Sequence, residues 1–120
     1  MAQELHPKLS VRLFTEQKCF GPGMAELLHR VEEHRSLRAA AQSMKMAYSK
    51  AWTIVHTAEE ALGFALLARK TGGRNGGGAE LTEEARQMLQ AYERYCERLH
   101  AYAESSFREE FSFYFDRQRD

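Results

Sequence analysis

The chain is poor in the residues that most chemistries require. Its 120 residues include two cysteines, Cys19 and Cys96, which lie far apart and form no CxxC or Cys/His spacing. Neither a disulfide framework nor a structural zinc site is therefore expected, and the reducing cytoplasm is the expected compartment. The five histidines, His6, His29, His34, His56 and His100, show no HExxH or similar pattern, so surface or helix-face roles are expected and no metal. No local Ser/His/Asp or Cys/His motif marks a catalytic nucleophile. Cys96 sits on an apolar stripe that suits a buried thiol better than a reactive one. The glycines between 72 and 78 are not followed by the lysine of a GxxxxGK[ST] loop, which argues against that mode of nucleotide binding. No apolar run reaches the length of about 18 residues that a membrane helix needs, and no apolar run follows a positive N-terminal cluster, so neither a span nor an export signal is expected. An enzyme is the least favoured class, and no cofactor is indicated.

Net charge is absent too, because seventeen Lys and Arg balance seventeen Asp and Glu. The balance is not uniform along the chain. Residues 36–79 carry six basic and two acidic side chains, whereas residues 80–120 carry six basic and ten acidic ones. Exposed charges act over a Debye length of about 8 to 10 Å, so a basic middle third can attract phosphate although the whole chain is neutral. The length, with 43% hydrophobic residues, fits one domain with a modest core.

Residues 8–18 alternate, with Leu9, Val11, Leu13 and Thr15 set among mostly polar neighbours, which predicts one edge or hairpin strand with a buried face. Phe20-Gly21-Pro22-Gly23 breaks the chain, and Pro22 suits the first turn of a helix whose apolar face is Met24, Leu27, Leu28 and Val31. Ser36 is a good N-cap for a short second helix with Leu37, Ala40, Ala41 and Met44 on its apolar face. The third helix runs from Ala47 to Leu62. Ala51, Trp52, Val55, Ala58 and Leu62 form its apolar stripe, so Trp52 is expected in the core, while Tyr48, Ser49, Lys50, Thr53 and His56 lie mostly on the other side. Gly63 stops this helix. Residues 64–69 suit a strand, five of the ten residues 70–79 are glycine, and residues 79–81 return as a second strand. The result is a hairpin with a basic tip. Thr82, followed by Glu83 and Glu84, opens a helix that can continue to about residue 115.

Within that last helix Leu89, Tyr92, Cys96, Leu99 and Ala103 recur at spacings of three and four, the seam spacing of paired helices. Eight of the thirteen aromatic residues fall between Tyr92 and Phe115, more than a solvated single helix needs. A second copy of the chain is the simplest partner. The fold expected is mainly α with a small β hairpin: a winged helix-turn-helix over residues 1–81, extended by a long C-terminal dimerisation helix over residues 82–120 within one structural domain. In that architecture the third helix lies in the DNA major groove and the hairpin reaches along the backbone or into the minor groove.

Four stretches carry a family resemblance. They are Phe20-Gly-Pro-Gly-Met-Ala-Glu-Leu-Leu28, Ser36-Leu-Arg-Ala-Ala-Ala41, Tyr48-Ser-Lys-Ala-Trp52 and Gly72-Gly-Arg-Asn-Gly-Gly-Gly-Ala-Glu-Leu-Thr82. Together they resemble the N-terminal domain of the molybdate-responsive ModE regulators, itself related to the DNA-binding domain of LysR-type regulators, over roughly residues 8–95. The resemblance implies operator binding by a homodimer. The family often has Gly-Met-Ser-Tyr-Lys-Lys-Ala-Trp where this chain has Lys45-Met-Ala-Tyr-Ser-Lys-Ala-Trp52, so operator sequence does not carry over. The sequence ends before the molybdate-binding domains that full-length family members append, which argues against direct molybdate binding.

In this docking mode Tyr48, Ser49 and Lys50 occupy the first turn of the third helix, which reaches base edges, and Thr53 lies one turn further along. Ser49 and Lys50 can donate to acceptors, and Tyr48 can touch a phosphate or a thymine methyl; equally, Ser49 can cap the helix and Tyr48 can pack on the second helix. Lys70, Arg74 and Asn75 in the wing suit sugar-phosphate contacts, unless the loop is simply solvated. Ser36 and Arg38 open the second helix, where free N–H groups suit a phosphate. The expected partner is double-stranded DNA. The runner-up is a winged-helix protein-interaction module without DNA affinity, which overall neutrality favours and the basic middle third opposes.

Overall fold

A computed structural model describes residues 4–70 and 78–118. Two short strands, β1 (Leu13–Phe14) and β2 (Lys18–Phe20), form an antiparallel hairpin. Three helices follow: α1 (Pro22–His34), α2 (Leu37–Ser43) and α3 (Tyr48–Leu62). The wing consists of β3 (Leu67–Lys70) and β4 (Gly78–Leu81), paired antiparallel with Leu67 opposite Leu81 and Lys70 opposite Gly78. Two more helices, α4 (Glu83–Glu110) and α5 (Ser112–Gln118), complete the chain. The architecture is a winged helix-turn-helix with a long C-terminal helix.

Local chemistry accounts for most boundaries. Pro22 opens α1, where its missing N–H costs nothing. The Ser36 hydroxyl accepts the Ala39 N–H at 3.0 Å, and the Thr82 hydroxyl accepts the Ala85 N–H at 3.0 Å, so both helices start on a side-chain cap. Helix α3 has none: its N-cap is Ala47, and it ends on Gly63 in the left-handed region at φ 86°.

The core lies between α1, α2, α3 and the first third of α4. Phe20, Leu28, Val31, Ala40, Ala51, Val55, Leu66 and Ala85 are fully buried there. Small residues at 40, 41, 51 and 58 let the three helices approach closely. Two side-chain contacts join the rim of α1 to α4: a hydrogen bond between His29 and Glu93 at 2.7 Å and an ion pair of Glu32 with Arg86 at 3.6 Å.

Several expectations change. Of the single strand expected over residues 8–18, residues 8–12 join no strand and only Leu13–Phe14 pairs, with Lys18–Phe20, because the chain reverses at Thr15–Gln17, where the Thr15 N–H donates to the Gln17 carbonyl at 3.0 Å. The buried residues of this hairpin are Cys19 and Phe20, beyond the alternating stretch. The final helix breaks at Phe111 and resumes as α5. Trp52 is not in the core: it is 47% exposed, while its neighbour Ala51 is fully buried. Finally, the apolar seam of α4 is divided. Leu89 and Tyr92 pack into this chain's own core, with the Tyr92 ring 4.9 Å from that of Phe20 and its hydroxyl donating to the Val11 carbonyl at 2.7 Å. Both are thus largely covered within the chain. Cys96, Leu99 and Ala103 are half-buried.

Beyond Cys96 no described residue of α4 or α5 is buried, and the two helices project from the body. The radius of gyration is 19.0 Å, with extents of 66 × 32 × 21 Å; a compact chain of this length has a radius of about 14 Å. No described helix is long and apolar enough to cross a membrane.

Candidate nucleic-acid interface

Helices α2 and α3 are joined by a tight turn in which Lys45 takes the left-handed region at φ 56° and the Met46 N–H donates to the Ala41 carbonyl at 2.9 Å. The turn sets the start of α3 beside the start of α2. The Arg38 guanidinium lies 4.2 Å above the Tyr48 ring, a cation–π contact that links the two helices. Tyr48 is nevertheless 38% exposed, and Ser49 and Lys50 are exposed beside it. The Thr53 hydroxyl donates to the Ser49 carbonyl at 2.9 Å, which leaves its lone pairs for an incoming donor.

The wing is fastened to the helices at three points. The Glu59 carboxylate, from the last turns of α3, accepts the Leu66 and Leu67 N–H groups at 2.7 and 3.3 Å. Thr82 donates its hydroxyl to the Ala65 carbonyl at 2.7 Å. On the other side the Ala79 N–H donates to the Arg35 carbonyl at 3.0 Å. That approach requires glycine next door, because a Cβ at Gly78 would stand 2.8 Å from the same carbonyl oxygen.

These fastenings create an open cleft of about 540 Å³ between the start of α2, the start of α3 and the wing. Ser36, Arg38 and Tyr48 line one wall, and Ala68, Arg69 and Gly78 line the other. Two arginines at a polar cleft suit a phosphodiester backbone.

Of the residues singled out in the sequence, Ser36, Arg38 and Tyr48 thus converge, and the Ser36 hydroxyl, which accepts the Ala39 N–H as a cap, keeps its own proton for an incoming acceptor. Ser49, Lys50 and Thr53 lie on the outer surface of α3 rather than in the cleft. Lys70 is exposed but stands 3.9 Å from Glu80 on the paired strand, which offsets part of its charge. Arg74 and Asn75 lie outside the described residues.

Sequence reasoning missed three contributors. Arg69 closes the 64–69 run that suits a strand, where nothing local marks it as a contact. Glu59 anchors main chain seven residues later, and nothing in its local sequence marks this. Trp52 stacks its indole on the His56 ring, centroids 3.7 Å apart and planes inclined by 18°, on the exposed side of α3.

The profile of bacterial regulatory helix-turn-helix proteins of the lysR family matches residues 24–86, which span α1 to the first turn of α4. The chain belongs to that family. The Transcriptional regulator ModE of Haemophilus influenzae is 35% identical over 86 residues, covering 72% of this chain and 32% of the relative. The DNA-binding transcriptional dual regulator ModE of Escherichia coli K12 is 28% identical over 90 residues, covering 74% of this chain and 34% of the relative. The Molybdenum transport protein ModE of Azotobacter vinelandii is 33% identical over 66 residues, 55% of this chain and 24% of the relative. The chain thus spans only about a quarter to a third of the length of these curated relatives.

Proposed function

We propose that this chain is a transcriptional regulator that binds double-stranded DNA sequence-specifically as a homodimer. Helix α3 enters the major groove, and the wing, with the Arg38–Arg69 cleft, holds the adjacent backbone. The observation that carries the reading is the convergence of Arg38 and Tyr48, from two helix starts, with Arg69 from the wing on one exposed polar cleft. Membership of a regulatory helix-turn-helix family supports it.

A second copy completes the reader. From Tyr95 onward the chain leaves Tyr95 51% and Tyr102 71% exposed, with Phe111 and Phe113 exposed further on. Tyr95, Leu99, Tyr102 and Ala103 then form the contact between copies, displaced from the seam that Leu89 and Tyr92 would have extended. Pairing there presents two α3 helices to major-groove turns about 34 Å apart.

Fluorescence anisotropy of duplex DNA selected from a random pool, titrated at two salt concentrations, tests this. Affinity should fall steeply with salt, and Lys50→Ala and Arg69→Ala should each weaken binding. Loss of one phosphate contact should lower the slope of log K against log salt by about 0.9. Absence of binding at low salt would refute the reading.

A further inference from the structure

Helix α3 has an unusual inventory for a base reader. Between Tyr48 and Leu62 it contains no Arg, Asn or Gln, so Lys50 is its one side chain suited to bidentate pairing with a purine in the major groove. Its exposed surface offers hydroxyls, one lysine and one large apolar plate, the Trp52 indole with His56 stacked on it. Tyr48, Ser49, Trp52, Thr53 and His56 recur at i, i+1, i+4, i+5 and i+8, one continuous stripe beside the buried Ala51–Val55–Ala58 face.

The plate is preformed. His56 is held by a 2.9 Å hydrogen bond between its Nδ1 and the Trp52 carbonyl, and its Nε2 lies 3.8 Å from the Glu59 carboxylate. Glu59 in turn fastens the wing. Leaving the largest apolar side chain of the helix half exposed, when the adjacent Ala51 is wholly buried, gains the fold little. An apolar plate on the groove-facing stripe instead suits the one apolar group that a base edge presents there, the C5 methyl of thymine.

We propose that Trp52, braced by His56, is a specificity-determining residue that reads thymine methyl groups in the operator. This inference rests on the DNA-binding reading above and deepens it: apolar contact with thymine adds sequence preference beyond what the single lysine of α3 can supply by hydrogen bonds to a purine.

The test uses the full chain and the duplex selected from a random pool, with each thymine replaced in turn by deoxyuridine, which removes only the methyl. Wild type should lose about fourfold in affinity at each contacted thymine, as expected for one buried methyl-sized group. Trp52→Ala should bind thymine and deoxyuridine duplexes equally at those positions while keeping salt-dependent binding. Trp52 is the only tryptophan, so its emission should also change in the wild type as the duplex binds, a readout independent of any variant's folding. Duplex binding with unchanged emission and no deoxyuridine penalty would overturn this inference and leave DNA binding intact. No duplex binding by wild type at all would overturn both.

Discussion

Replacing Glu59 should detach the wing from α3. Its side chain is only 18% exposed, and its carboxylate is the acceptor for two successive main-chain N–H groups, one of which belongs to the fully buried Leu66. A hydrogen bond to a charged acceptor contributes about 1.5–3 kcal/mol, and a buried donor left alone costs a similar amount. The 2.7 Å bond to Leu66 supplies most of this, since the second, at 3.3 Å, is long. The better helix propensity of alanine returns only a few tenths of a kcal/mol, so Glu59→Ala should destabilise by about 2–3 kcal/mol net. Glu59→Gln keeps an acceptor without the charge and should cost about 1 kcal/mol. Urea unfolding followed by circular dichroism measures both, with Glu60→Ala as control. Glu60 is the exposed next residue, and its replacement should stay within about 0.5 kcal/mol of wild type. If Glu59→Ala proves no more destabilising than the control, the carboxylate does not anchor the wing and this account of its position fails.

Gly78→Ala places a Cβ 2.8 Å from the Arg35 carbonyl oxygen; it should destabilise by about 1–3 kcal/mol in the same assay and weaken duplex binding through the displaced wing. Ala47→Ser supplies α3 with the side-chain cap that it lacks and should raise stability by about 1 kcal/mol, seen as a higher urea midpoint. Burial, with the Cys96 thiol beside it, pushes the Tyr92 phenol from its usual 10.0 up to about 12. The neutral form is favoured in the fold, so this contribution is complete below pH 10.0 and is lost as pH rises through about 12. Tyr92→Phe should cost about 1 kcal/mol near neutrality through the lost bond to Val11. The gap between wild type and variant should narrow at alkaline pH in parallel urea titrations; a constant gap would argue against burial as the cause.

The helices were legible because their signals are local. Pro22, Ser36, Thr82 and Gly63 mark boundaries by their own backbone and side-chain chemistry, and the structure uses each of them there. What failed was the assignment of partners to apolar surface. Trp52 sits at the margin of the apolar arc of α3, and whether a margin is covered depends on a neighbour that periodicity does not describe. Leu89 and Tyr92 lie on a true stripe, but its period is the same whether the covering surface is Phe20 of this chain or a second copy. Alternation over residues 8–18 likewise marked an extended segment without showing the reversal at Thr15–Gln17 or that only Leu13–Phe14 and Lys18 within it pair. In the candidate site, Tyr48 and Arg38 could be read because both stand at helix starts. Arg69 and Glu59 could not, since their roles depend on where the wing folds back.

Hydroxyl-radical footprinting on the selected duplex tests most directly whether the cleft and α3 act as one half of a paired reader. Two protected patches on one face of the duplex, centred about one helical turn or 34 Å apart, are expected, each lost in Lys50→Ala. A single patch, or two patches on opposite faces, would contradict it.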